Sequence, residues 1–124
     1  MNNNRQKGHN LERQVVTNLK VFYPYAKTSR ASSRLLDNCK IDINYVPFLI
    51  QCKNGYERNR PKWDEEYGLM KQEINKHFPK NHSIHTLPFI LIHKMNRKPI
   101  TVTIPYDLFL KMLETYHSEN ILQV

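Results

Sequence analysis

Apolar residues recur from Asn10 onward at Leu11, Val15, Val16, Leu19 and Phe22, offsets that mark one face of a helix ended by Pro24. The polar stretch Ala26 to Arg34 has room for an edge strand. Ile41, Ile43 and Tyr45 then alternate with Asp42 and Asn44, the period-2 signature of a strand. Pro47 punctuates, Phe48 to Lys53 reads as the next strand, and Asn54-Gly55 closes it as a turn. An exposed basic loop carrying Arg58, Arg60 and Lys62 leads to a second amphipathic stripe, Trp63, Tyr67, Met70, Ile74 and Phe78. Leu87 to Ile92 is a continuous apolar run suited to a strand buried on both faces. Ile100, Val102 and Ile104 alternate with threonines, and Pro105 opens a last helix bearing Leu108, Phe109, Met112, Leu113 and Tyr116. The order α-β-β-β-α-β-β-α predicts an α/β domain with a mixed central β-sheet flanked by helices.

At 124 residues the chain suits one domain over 1–124, with residues 1–8 as a flexible basic arm. A hydrophobic content of 40% supports a packed core and excludes a disordered basic tail. No apolar run approaches the ~20 residues that span a bilayer, so a membrane partner is not expected. The opening MNNNRQKGHN lacks the apolar region of a secretory signal. Two cysteines, Cys39 and Cys52, make no disulfide framework and suit a reducing, cytoplasmic setting. The formal net charge of +8 points to a polyanionic partner.

Strand alternation sharpens that expectation. Phe48, Ile50 and Cys52 point one way, as a core face shared with Ile41 and Ile43, while Leu49, Gln51 and Lys53 point the other. Asp42, Gln51 and Lys53 are then free to gather on one face. A carboxylate, an amide carbonyl and an ammonium so placed suit Mg2+ beside a water-orienting lysine, because Mg2+ takes hard oxygen ligands and needs only one or two carboxylates. Glu12, next to the first helix's apolar stripe, can reach the same cluster.

The pattern Lys7-Gly8-x-x-x-Glu12-Arg13-x-Val15-Val16, then Ser32 and Ser33 in a basic stretch, then Ile41-Asp42-Ile43, then Gln51-x-Lys53 resembles the PD-(D/E)xK nuclease superfamily. Its archaeal-type and phage Holliday junction resolvases are the nearest in pattern. The resemblance spans about residues 5 to 55. It implies a restriction-endonuclease-like core of α-β-β-β-α-β order and Mg2+-dependent phosphodiester hydrolysis, with Mn2+ able to substitute. It also implies a homodimer that nicks two strands of branched DNA such as a four-way junction. Carried to matching positions, Glu12, Asp42 and Gln51 are the metal ligands, Lys53 steadies the attacking water, and Ser32, or Ser33 beside it, touches the scissile strand. The sequence departs from the pattern at Gln51, where an acidic residue is usual; one negative charge is lost, leaving Asp42 and Glu12 to supply the anionic charge.

Plainer roles stand beside these. Asp42 alone is an ordinary strand residue, Glu12 an ordinary helix charge, and Asp37 suits a turn cap. His82 and His85 have a ligand-like spacing but no cysteines near them to complete a zinc site. Cys39 and Cys52 read as buried thiols on neighbouring strands, and the Trp63 stripe as core or a dimer interface. The cations, however, cluster. Arg5 and Lys7 precede the first helix, Lys27, Arg30, Arg34 and Lys40 surround the serines, and Arg58, Arg60 and Lys62 follow the Gln51 strand. Residues 1–62 hold 12 Lys and Arg against 4 Asp and Glu, so the surplus surrounds the candidate site. Contacts of that kind to phosphates fix position without reading sequence. Two further readings stay open: a nuclease of the same fold acting on nicked, flapped or duplex DNA, and a non-catalytic DNA-binding module.

Overall fold

The computed structural model describes residues 3–55 and 60–119. Helix α1 (Asn3–Leu19) buries Leu11, Val15 and Val16 on one stripe. It starts well before Asn10, so residues 3–8, expected as a flexible arm, form its opening turns. It stops at Leu19, where the Tyr23 N–H closes onto the Leu19 carbonyl at 2.8 Å. Phe22, expected on the apolar face, therefore lies beyond the helix and is exposed.

The stretch expected to hold one edge strand contains a two-residue strand, β1 (Lys27–Thr28), and two short helices, α2 (Ser29–Ser32) and α3 (Arg34–Asn38). The Ser33 hydroxyl accepts the Leu36 N–H at 3.2 Å and so caps α3, a local bond that outcompetes strand pairing here. The following strand is also shorter than the alternation suggests. Only β2 (Ile43–Asn44) pairs, antiparallel to β1, because Lys40 and Tyr45 on either side adopt left-handed φ values of 69° and 65°. Ile41 and Ile43 join opposite cores, where the sequence placed them on one face.

The main sheet is three-stranded and mixed. Strand β3 (Leu49–Gly55) runs parallel to β4 (Phe89–Met95), which pairs antiparallel with β5 (Ile100–Thr103). Asn54 and Gly55 belong to β3 and form no turn, their partners being Lys94 and Met95. Helix α4 (Trp63–His77) is the crossover that a parallel β3–β4 pair requires. The first four residues of β3 and the first five of β4 are buried, since helices cover both sheet faces.

Alternation along β3 splits its side chains as expected, but both faces are core where the sequence expected one. Ile50 and Cys52 join Ile90 and Ile92 beneath α1, with Phe48 packed against them. Leu49 joins Phe89 and Leu91 beneath Met70 and Ile74 of α4. Full burial of side chains of this size is worth ~1.5–3 kcal/mol each, so these two layers fix the register of β3. Trp63 and Tyr67 sit in the same layer against Phe89, and the indole Nε1–H donates to the Phe89 carbonyl at 3.0 Å. The Trp63 stripe is thus core.

The cysteines do not share neighbouring strands. Cys52 lies on β3 beneath α1, and Cys39 ends α3 in the α4 layer. His82 caps a 3-10 turn (Ser83–Thr86) through Nδ1, and His85 Nε2 bonds the Pro79 carbonyl. Helix α5 (Tyr106–Glu119) follows Pro105 as expected and leaves Tyr106, Phe109, Leu110, Met112 and Tyr116 exposed. Among the described residues no helix is long and apolar enough to cross a membrane.

Candidate active site

Strand β3 ends the three-stranded sheet, and its free edge is where the candidate residues meet. The segment before β2 runs along this edge. The Asp42 N–H donates to the Ile50 carbonyl at 2.7 Å, and the Asp42 carbonyl accepts the Ser29 N–H at 2.8 Å. The Asp42 carboxylate completes the clamp, its Oδ2 accepting the Cys52 N–H at 2.7 Å. One residue thereby satisfies edge groups of β3 that a paired strand would otherwise take. The sequence placed Asp42 on a sheet face with Gln51 and Lys53. Its bond to main-chain N–H instead holds it at the strand edge, between the two layers.

Burial dominates the Asp42 electrostatics and pushes its pKa up from 3.8 to about 7. The Cys52 N–H opposes that shift, Glu12 and Asp37 add to it, and the Lys53 ammonium opposes it. Glu12 from α1 and Lys53 from β3 are therefore both within electrostatic reach of one carboxyl group. The Cys52 thiol is pushed up by burial, then by Asp42 and Glu12, which suits an inert core thiol.

Glu12 pairs with Arg30 of α2, Oε1 to Nη2 at 3.3 Å, so one of the expected phosphate-binding cations is already engaged with the cluster. Gln51 is 3% exposed, and its Oε1 is a buried acceptor without a hydrogen-bond partner. Lys53, two residues on and on the same face, reaches the solvent margin, where Nζ lies 3.5 Å from Glu66 Oε1.

Glu66 is absent from the sequence-based site. The signal for it was available: position 66 follows Trp63 by three and precedes Met70 by four, which puts it on the inward stripe of α4. A second missed neighbour is Ser29, fully buried beside Asp42, with its Oγ also unpartnered.

The serines expected at the scissile strand have local work. Ser32 Oγ donates to the Thr28 carbonyl at 2.8 Å and accepts from Asn44 Nδ2 at 3.1 Å, tying α2 to β1 and β2. Ser33 is the α3 cap. Lys27, Arg30, Arg34 and Lys40 are exposed on β1, α2, α3 and the turn before Asp42. Arg5 and Lys7 are exposed on the opening turns of α1. Arg60 and Lys62 lead into α4, with Lys62 Nζ 3.9 Å from Glu65. Arg58 lies outside the described residues.

Among the described residues no three His, Cys, Asp or Glu side chains gather for a metal. The donors offered to Mg2+ are two carboxylates, Asp42 and Glu12, and the unpartnered amide oxygen of Gln51. These are hard oxygens in the number that Mg2+ uses while keeping several waters, so the residues fit the ion. Comparison of the chain with family models, curated proteins and solved structures finds no match in any of the three.

Proposed function

We propose that this chain is a Mg2+-dependent DNA endonuclease with a restriction-endonuclease-like core. Its substrate is branched DNA, foremost the four-way junction, cut as a homodimer in the cytoplasm of a bacterial or phage-infected cell. The observation that carries this reading is the partnerless, buried Gln51 Oε1 on the strand whose edge Asp42 clamps, together with an Asp42 carboxyl whose pKa burial and two acidic neighbours push up to about 7. An unmet buried acceptor costs ~1–3 kcal/mol, and a carboxylate ionised in such surroundings costs more. A divalent cation held by both groups would remove both penalties, and among the described residues no side chain donates to Gln51 Oε1.

Asp42, Glu12 and Gln51 would hold the ion. When bound, Mg2+ supplies charge neutralisation for the phosphodiester and a lowered pKa for water. Lys53, held by Glu66, orients the attacking water and donates toward the phosphate. Arg30 offsets the charge of Glu12, and the cations on β1, α2 and α3 take flanking phosphates, a sequence-independent footprint that suits recognition of DNA shape. The homodimer reading draws on the exposed apolar side chains of α5, and a two-fold pair of sites matches a four-way junction.

The test incubates the protein with a four-way junction and with matched linear duplex, in Mg2+ or EDTA, beside Asp42→Ala. Paired Mg2+-dependent nicks on the junction alone, lost in the variant, are expected. Equal cutting of duplex removes the junction preference and leaves a nuclease of the same fold. Tight binding without cutting establishes a non-catalytic DNA-binding module instead.

A further inference from the structure

A cavity of about 270 Å3 opens between the first half of α1 and the C-terminal ends of β3 and β4. It lies on the α1 face of the sheet, whereas Gln51 and Lys53 occupy the α4 face. Its floor is apolar, from Leu11, Met95 and Ile100, and its walls carry Lys7, Lys94, Asn10, Gln14, Asn54 and Asn96. Among the described residues no acidic side chain lines it. Two ammoniums with no carboxylate among the described lining residues favour an anion, and four amides favour a ligand with both donors and acceptors.

The protein fixes the orientation of two of those amides. Asn54 Nδ2 donates to the Lys7 carbonyl at 2.9 Å, which leaves Oδ1 as the acceptor. Asn10 Oδ1 accepts from Arg13 Nη1 at 3.2 Å, which leaves Nδ2 as the donor. A fixed donor and a fixed acceptor in one cavity match the edge of a nucleobase, which presents the converse pair. An apolar floor accommodates the ring, and the lysines suit the attached phosphate. The volume falls just below the usual range for small-ligand pockets, ~300–1,000 Å3, so it has room for at most one base and not a base pair.

We propose that this cavity is a nucleotide subsite that receives a single unpaired nucleotide of a bound DNA strand. The base lies on Leu11 and Ile100 between Asn10 and Asn54, and its phosphate lies on Lys7 and Lys94. The inference rests on the DNA reading above and adds to it: the chain prefers DNA with an unpaired nucleotide next to the duplex. Lys94 Nζ, now on the Met95 carbonyl at 3.1 Å, exchanges that weak neutral partner for the phosphate.

Fluorescence anisotropy in EDTA tests this without any cutting, comparing a blunt duplex with the same duplex bearing a short single-stranded overhang. The overhang is expected to bind about tenfold tighter, the ratio that 1.4 kcal/mol gives. Lys94→Gln and Asn10→Ala, both on solvent-facing walls, should bring the two affinities together while leaving thermal unfolding unchanged. Equal affinities in the wild type overturn the subsite alone, as does a preference that survives in both variants. A deoxynucleoside monophosphate that binds while the overhang gives no advantage shows a free nucleotide to be the ligand and also overturns it. Failure to bind either duplex overturns the DNA reading itself.

Discussion

Replacing Asp42 by asparagine isolates the cost of the buried carboxyl group. Asparagine keeps an oxygen to accept the Cys52 N–H and nearly the same volume, but it never ionises. In the unfolded chain the Asp42 carboxyl titrates near 3.8, and in the folded chain at about 7. Below the unfolded value both states are protonated and the group has no effect on stability. As pH rises between the two values, the unfolded chain gives up the proton that the folded chain retains, so stability falls by about 1.4 kcal/mol per pH unit. Above pH 7 the full penalty stands. A shift from 3.8 to about 7 at 1.36 kcal/mol per unit makes that penalty roughly 4 kcal/mol. With an unfolding entropy of ~2.1 cal/mol/K per residue, it corresponds to a change in Tm on the order of 10 °C for a chain of this length. The assay is thermal unfolding of the wild type and Asp42→Asn from pH 4 to pH 8 in EDTA. The variant should match the wild type at pH 4 and melt well above it at pH 8, and Mg2+ should close the gap at pH 8 by stabilising only the wild type. Parallel Tm profiles across that range would refute the buried, perturbed carboxyl on which the proposed metal site rests.

Four further substitutions probe separate parts of the surroundings. Gln51→Glu restores a third carboxylate at a position 3% exposed, so in EDTA above pH 7 it should lower stability by roughly 2–4 kcal/mol. Mg2+ should reverse that loss, with a lower Mg2+ dissociation constant than the wild type by calorimetry; indifference to Mg2+ would exclude Gln51 from the ligand set. Glu66→Gln removes the partner of a Lys53 side chain that is 41% exposed, which should alter stability by under ~1 kcal/mol. Single-turnover cleavage should nonetheless slow by about tenfold as the ammonium loses its hold, and an unchanged rate removes Glu66 from the site. Ser33→Ala deletes the α3 cap and should cost ~1 kcal/mol in urea unfolding, with Ser32→Ala as the comparison at the β1–β2 tie.

Periodicity was enough wherever a long element buries one stripe or two full faces. The stripes of α1 and α4 and the apolar runs of β3 and β4 could be read directly, because a helix or strand of that length commits many side chains to a single phase. Even the split of β3 into Ile50 and Cys52 on one side and Leu49, Gln51 and Lys53 on the other follows from period 2 alone. Residues 26–45 resisted the same treatment. Their elements are two to five residues long, set by the Ser33 cap and by left-handed turns at Lys40 and Tyr45, and short-range bonds of that kind leave no periodic trace.

What the sequence determined by itself was therefore the order of the major elements, the two-faced burial of β4, and the concentration of positive charge before α4. Which residues meet was decided only by the tertiary structure. Asp42 turns its carboxylate to the Cys52 N–H because β3 is a sheet edge with groups left unpaired, and nothing local to Ile41-Asp42-Ile43 says so. Lys53 meets Glu66 because α4 crosses over the face on which Gln51 is buried. The cavity of Lys7, Asn10, Asn54 and Lys94 exists because α1 starts early enough to overhang the ends of two strands. Side-chain phase is a property of one element and is written in its own residues. A site made where three elements meet depends on distances between elements, and those are fixed by packing.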